Sequence, residues 1–312
     1  MLEAKKSTVQ PVLLPVLQEK QVQLFVKRED LLHPHISGNK YRKLFYNLIE
    51  ARKLGHDTLL TFGGAFSNHI AATAAAGKEF GFKTIGVIRG EEFSEKPELI
   101  RLNPTLSFAQ NQGMQLFFVP RKTYRQRNTK PFQTQLKQKF GRFYPIPQGG
   151  TNLLGVKGAK EILQNTDINY HFITVAVGTG GTMAGLIEAS RIGQTVLGFP
   201  ALKENFLHHE IKKFTPKQNG QLIRDYHFGG FAKINRELID FINVFYEQTH
   251  IPLDPVYTGK MLYGVLDMIN KNYFRPGTRI LAVHTGGLQG NDGMNFRLKK
   301  KNLPPLQIPS FY

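Results

Sequence analysis

At 312 residues with 41% hydrophobic content, the chain can bury a large core, either as one α/β unit or as two lobes. No apolar run approaches a membrane span, the leading MLEAKKSTVQ lacks an apolar signal core, and the absence of cysteine excludes disulfides and thiolate metal sites and is compatible with the cytoplasm. The formal net charge of +18 admits a nucleic-acid surface, a solvated basic face or attraction of anionic ligands; the cations are spread along the chain, which favours the solvated face over nucleic acid.

Residues 1–26 are broken by Pro11 and Pro15, and 21–26 alternate as a strand should. The tetrad Lys27-Arg28-Glu29-Asp30 follows. Gly38-Asn39-Lys40 then sets one lysine at the mouth of an expected helix over 41–54, with apolar positions at Tyr41, Leu44, Phe45, Leu48, Ile49 and Ala51. Taken singly a lysine is a solvated surface group, but an amine that condenses with a carbonyl cofactor must sit beside a site for that cofactor's phosphate. A buried strand pattern at 58–62 leads to a Gly63-Gly64 turn and a helix opened by Ser67-Asn68-His69. Such a capped helix start offers unpaired N–H groups and partial positive charge to an anion.

Further strands are expected at 83–89 and 115–119 and a helix at 103–112; the alternation implies a parallel sheet. Residues 121–141 carry many basic residues and no acid, and read as an exposed loop plus a helix. A turn at Gln148-Gly149-Gly150-Thr151-Asn152 precedes a helix at 155–164. A strand at 172–177 delivers the chain to Gly178-Thr179-Gly180-Gly181-Thr182, and a helix continues to 192. Glycine there lets backbone N–H groups approach a phosphate with no Cβ in the way. The turn is neither a Walker loop nor GxGxxG, so nucleotide hydrolysis and dinucleotide binding fit poorly. Helices are expected at 202–213, 235–249 and 259–271, and a last strand at 279–284 ends in Thr285-Gly286-Gly287. The ten histidines show no metal-ligand spacing, and no metal is assigned.

GNKYRKL, FGGAFSNH, IPQGGTNLLGVKGA, VGTGGTMAGL, DPVYTGK and VHTGG follow one another as in pyridoxal-phosphate enzymes of the tryptophan synthase β-like fold, fold type II. The chain most resembles the branch holding 1-aminocyclopropane-1-carboxylate deaminases and D-cysteine desulfhydrases. The resemblance implies a two-lobed α/β, parallel-sheet protein, with 1–42 and 147–312 as the large cofactor-binding lobe and 43–146 as the small lobe. It also implies a homodimer, and pyridoxal 5'-phosphate held between the lobes.

By the same resemblance, Lys40 is the lysine joined to the cofactor, which later shuttles the substrate's α-proton. Lys43 reaches the phosphate, against the alternative of a surface lysine. Gly178, Thr179, Gly180, Gly181 and Thr182 form the phosphate cup, and Asn68 bonds the pyridine hydroxyl. Ser67 meets the substrate, binding its carboxylate or acting as a nucleophile; plain helix capping is the alternative for Ser67 and Asn68. His69 orients the substrate or stacks on the core, with the latter favoured. Tyr257 is the candidate substrate-contacting acid/base, against a core tyrosine with a satisfied hydroxyl.

Two positions bear on the substrate. Thr258 stands where the cyclopropane deaminases carry glutamate, and Thr285 where they carry leucine; the desulfhydrases have a small hydroxyl residue at both. A neutral hydroxyl at the pyridine nitrogen makes a weaker electron sink, adequate for β-elimination of a good leaving group. Phe231 stands where most members have tyrosine. The expectation is a cytoplasmic lyase acting on a small amino acid, D-cysteine giving pyruvate, sulfide and ammonia. The alternatives are 1-aminocyclopropane-1-carboxylate deamination, elimination from an L-hydroxy amino acid, and, in a different class, a non-catalytic nucleic-acid-associated protein.

Overall fold

Buried apolar strands alternate with helices in the computed structural model, which describes residues 5–203 and 206–310. In chain order the strands are β1 (Val9–Val12), β2 (Gln23–Lys27), β3 (Thr58–Gly64), β4 (Lys83–Arg89), β5 (Met114–Val119), β6 (Tyr144–Ile146), β7 (Phe172–Val177), β8 (Thr195–Pro200), β9 (Gly220–Leu222) and β10 (Arg279–Val283). They form two sheets. One has the order β5-β4-β3-β6 and is parallel throughout. The other runs β1-β2-β10-β7-β8-β9 and is parallel except for β1, which pairs antiparallel to β2. This is the α/β, parallel-sheet class expected from the alternation.

The helix Asn39–Lys53 lies between the two sheets. Tyr41, Leu44, Leu48 and Ala51 pack with Leu59 of β3, Ile146 of β6 and the alanines of the helix Asn68–Phe80. Its other side meets the helix Leu153–Lys160 so closely that a Cβ on Gly158 would lie 1.9 Å from the Arg42 carbonyl oxygen. The expected lobe boundary at 42/43 thus falls within one continuous helix.

Lys27, Arg28, Glu29 and Asp30 are buried and absent from the cavity described below. Glu29 takes two hydrogen bonds from Arg42, from Nε at 2.9 Å and Nη2 at 3.0 Å. Arg28 grips Asp30 (Nη2 to Oδ2, 2.7 Å), and Lys27 donates to Asp167 at 2.6 Å. Buried ions need such partners. The tetrad therefore fixes β2 against its neighbours and holds the Asn39–Lys53 helix.

Several expectations are revised. β3 continues through Gly63 and Gly64, because they pair with Ile88 and Arg89 of β4; the turn comes after them. Residues 121–141 form two helices, Arg121–Arg125 and Lys130–Phe140, anchored by buried Tyr124, Phe132 and Leu136. The helix expected at 202–213 spans Leu207–Lys212, and positions 204–205 lie outside the described residues. β8, β9 and the helix Asn291–Lys299 had no counterpart in the reading of the sequence. Among the described residues no helix is long and apolar enough to cross a membrane.

Candidate active site

Open α/β sheets bind ligands at the carboxyl ends of their strands, and here both sheets turn those ends toward one cavity of about 450 Å³. Small-ligand pockets measure roughly 300–1,000 Å³. Ser67, Asn68 and His69 follow β3, and Gln148 and Gly149 follow β6. Gly178, Thr179, Gly180 and Thr182 follow β7, and Thr285 follows β10; all line the cavity with Lys40, Lys43 and Tyr257.

Lys40 is 7% exposed. Gly38 has φ +64°, and a Cβ there would lie 2.0 Å from the Thr285 carbonyl oxygen. That same oxygen accepts the Asn39 N–H at 3.2 Å. The end of β10 thereby fixes where the helix begins. Lys40 Nζ donates to Asn39 Oδ1 (2.9 Å), and Asn39 Nδ2 donates to Thr182 Oγ1 (2.8 Å). A single asparagine side chain therefore connects the lysine to the glycine turn. Burial lowers the Lys40 pKa to about 8.

Lys43, one turn on, is 1% exposed and donates to Thr151 Oγ1 at 2.8 Å. Its pKa is pushed well down, first by burial and then by the charge of Lys40. Thr151 in turn meets Thr179 of the glycine turn, Oγ1 to Oγ1 at 2.5 Å. The turn's glycines leave little room for a Cβ. Gly180 sits at φ +84°, and a Cβ on Gly181 would lie 2.8 Å from Thr151 Cγ2 and 3.1 Å from Lys43 Nζ. The helix Gly181–Ala189 starts there with no side-chain cap. Open backbone donors beside a buried ammonium suit a phosphate group.

Ser67 caps the helix Asn68–Phe80, accepting the Ile70 N–H at 3.4 Å, while lining the cavity. The Gln289 amide, in the orientation its neighbours dictate, donates to the Gly287 carbonyl (3.2 Å) and accepts the Asn68 N–H (3.3 Å). His69 is 1% exposed. The Thr61 hydroxyl donates to the Ile146 carbonyl (2.8 Å) and so accepts from His69 Nε2 (2.7 Å). Nδ1 is left as a buried lone pair without a hydrogen-bond partner among the described residues. Burial, then Lys40 and Lys43, hold the His69 pKa well below its usual value, so the ring is neutral. It is packed in the protein and also presented to the cavity.

Tyr257 lies against the glycine turn: a Cβ on Gly178 would be 3.3 Å from Tyr257 Cε1 and 3.7 Å from its hydroxyl. Burial, then Asp254, raises its pKa, which keeps the phenol a proton donor. Phe231 stands edge-on to it, ring centroids 6.1 Å apart. Thr258 is different. Fully buried and absent from the cavity wall, it donates from Oγ1 to Asp254 Oδ1 (2.8 Å) and accepts the Asp254 N–H (2.9 Å). Asp254 Oδ1 also accepts the Thr258 N–H, and Oδ2 accepts those of Val256 and Tyr257. Asp254 is the sole carboxylate on the wall among the described residues, and both its oxygens are committed to this turn.

Reading the sequence did not single out Asn39 or the arginines Arg89, Arg121, Arg125, Arg127 and Arg297, all of which line the cavity. Thr151 was noted only as part of a turn. For the arginines the one signal was basic density directly after a strand.

The profile of the family described as pyridoxal-phosphate dependent enzyme matches residues 9–286. A Pyrococcus furiosus protein provisionally named 1-aminocyclopropane-1-carboxylate deaminase is 33% identical over 288 residues, covering 86% of this chain and 85% of that protein. The mitochondrial bifunctional D-cysteine desulfhydrase/1-aminocyclopropane-1-carboxylate deaminase of Arabidopsis thaliana is 30% identical over 295 residues, 86% of this chain and 73% of its own. A crystal structure described as an ACC deaminase homologue superposes with a TM-score of 0.80 at 29% identity, over 96% of this chain and 94% of that one.

Proposed function

The chain belongs to the pyridoxal-phosphate-dependent enzymes, in the 1-aminocyclopropane-1-carboxylate deaminase and D-cysteine desulfhydrase group of fold type II, and from that premise we propose a lyase that eliminates the β-substituent of a small D-amino acid. D-Cysteine, giving pyruvate, sulfide and ammonia, is the test substrate.

Bound pyridoxal phosphate supplies an electron sink for the carbon that loses its proton. The wall residues suit that group. Lys43 and the start of the Gly181–Ala189 helix, with Gly178, Thr179, Gly180, Gly181 and Thr182, hold the phosphate in a cup that a single added Cβ would fill. Lys40 would hold the cofactor through its amine and carry the α-proton. Asn68 would bond the ring hydroxyl, and Ser67 with the helix start behind it would bind the substrate carboxylate. His69, with its Nδ1 buried, backs the substrate end of the cavity, and Tyr257 would donate a proton from its phenol.

The observation that carries the choice of reaction is the state of Asp254. With its oxygens taken by the Val256–Thr258 turn, no free carboxylate lines the wall among the described residues, and the Thr285 hydroxyl would be the partner for the pyridine nitrogen. A neutral partner does not hold that nitrogen protonated, and the weakened sink suits departure of a good leaving group. The second reading, ring opening of 1-aminocyclopropane-1-carboxylate, is favoured by the name of the Pyrococcus relative, while the Arabidopsis relative's name carries both activities. Ammonia and 2-oxo-acid release from D-cysteine, L-cysteine and the cyclopropane amino acid, as pyruvate with sulfide from the cysteines and as 2-oxobutanoate from the cyclopropane, separates the two. Turnover of D-cysteine well above the others is the expected result, and turnover of the cyclopropane amino acid alone would overturn it.

The rate at which cofactor-free protein captures pyridoxal phosphate should follow the neutral fraction of Lys40. An amine of pKa about 8 is roughly 10%, 50% and 90% neutral at pH 7, 8 and 9. Capture followed by stopped-flow absorbance should therefore rise about fivefold between pH 7 and 8 and only about twofold by pH 9. An ordinary lysine would give about tenfold at each step. A homodimer, a small lobe at 43–146 and a cytoplasmic location belong to the same proposal; the Arabidopsis relative's name places that protein in mitochondria.

A further inference from the structure

We propose that the arginines at the carboxyl ends of β4 and β5 form a subsite for an anion at the end of the substrate's side chain, so that the preferred amino acid carries a distal carboxylate or phosphoryl group. The inference rests on the reading of the cavity as an amino-acid site and names what its outer half recognises.

Arg89 ends β4, and Arg121, Arg125 and Arg127 follow β5 within a few residues; all face the cavity. Arg89 and Arg127 both lie over the ring of buried Tyr124, their guanidinium carbons 5.8 and 5.2 Å from its centroid. Arg127 is tied there by a bond from Nη1 to the Tyr124 carbonyl at 3.4 Å. A solvated face would spread its cations apart, whereas here two are gathered on one ring.

Arg121 is compensated by Glu92 at 3.1 Å. Arg89, Arg125 and Arg127 have no carboxylate partner among the described residues, and the wall's own carboxylate, Asp254, is committed elsewhere. Like charges held together without a counterion repel, and a bound anion offsets that repulsion.

The cluster is also connected to the reacting end of the cavity. Tyr124 donates its hydroxyl to Gln148 Oε1 at 3.1 Å. The next residue, Gly149, abuts Thr179 of the glycine turn, where a Cβ would lie 3.0 Å from Thr179 Oγ1. Arg89 Nη2 lies 3.5 Å from the place a Cβ would occupy on Gly64, three residues before Ser67. An amino acid whose carboxylate meets Ser67 thus has a route for its side chain toward Arg89 and Arg127. Neutral side chains would leave these cations facing water alone.

Titration calorimetry on the holoenzyme, after its cofactor absorbance has been confirmed, tests this. The ligands are D-aspartate, its neutral isostere D-asparagine, and D-2-amino-3-phosphonopropionate. The anionic ligands should bind about tenfold more tightly than asparagine, a preference that shrinks as salt is raised. In Arg89→Gln/Arg127→Gln the ratio of aspartate to asparagine affinity should fall to about one. A preference for both anions, or for the phosphonate alone, supports the subsite and fixes which charge it prefers. Equal affinities for all three ligands in the wild type, a preference insensitive to salt, or an anion-to-asparagine ratio unchanged in a folded double variant would overturn it while leaving the lyase reading intact. A protein that binds no cofactor overturns the lyase reading and this inference together.

Discussion

Lys40→Ala should lose the visible absorbance of the bound cofactor and at least ~10³-fold of the lyase activity, since positioned proton transfer alone contributes about 10²–10⁴-fold. The variant should fold, because alanine is a good helix former and Lys40 sits in the first turn of Asn39–Lys53. The surroundings of the buried lysines make Lys40, rather than its neighbours, the expected amine. Burial brings its pKa to about 8, and Asn39 aligns its nitrogen and ties it to Thr182. Lys43 is also buried, but its ammonium is directed to Thr151 beside Gly181, where it meets a phosphate rather than an aldehyde. Lys260, likewise with a pKa lowered to about 8, holds the His227 and Gly230 carbonyls at 2.9 and 2.8 Å. Lys43→Ala should accordingly retain the absorbance at high cofactor concentration and lose it on dialysis. Absorbance and activity undiminished in Lys40→Ala would contradict this assignment.

Glu29→Ala is expected to destabilise the protein by about 3–5 kcal/mol, the cost of leaving a buried charge without its partner. Glu29 is fully buried, and Arg42, 3% exposed, gives it a two-point bond. Removing the carboxylate leaves the guanidinium in the interior without its counter-charge. Arg42 stands two residues from Lys40 on the same helix, so the loss should also displace the amine, and cofactor affinity should fall with stability. Urea unfolding of the cofactor-free forms reads the first effect apart from the second. Glu29→Gln, which keeps the shape and one acceptor, should lose less than alanine. A loss below about 1 kcal/mol for Glu29→Ala would place the pair among ion pairs that contribute little.

Which parts of the fold could be read from the sequence follows from where the decisive contacts lie. β4 and β7 stand out as short apolar runs ended by glycine or a charge, and the helices Pro104–Asn111 and Arg236–Thr249 are announced by their caps Asn103 and Asn235. The apolar run of β8 is interrupted by Gly198 and Pro200, and β9 has three residues, so neither gives a clear strand signal. Lys43 could not be told from a surface lysine because its partner Thr151 is 108 positions away. Motif adjacency placed Thr258 beside Tyr257 but said nothing of the side of the chain it occupies. There the carboxylate of Asp254, four residues earlier, draws the hydroxyl inward. The basic stretch after β5 illustrates the same gap. A density of cations gives their number, while the packing of Tyr124 decides that Arg89 and Arg127 face the cavity.

Borohydride reduction of the cofactor-loaded protein, followed by digestion and mass mapping of the modified peptide, asks the most direct question of this assignment. A pyridoxyl group on Lys40, in the peptide containing Gly38-Asn39-Lys40, is the predicted result. The group on Lys43, Lys260 or any other lysine, or no modified peptide at all, would contradict it.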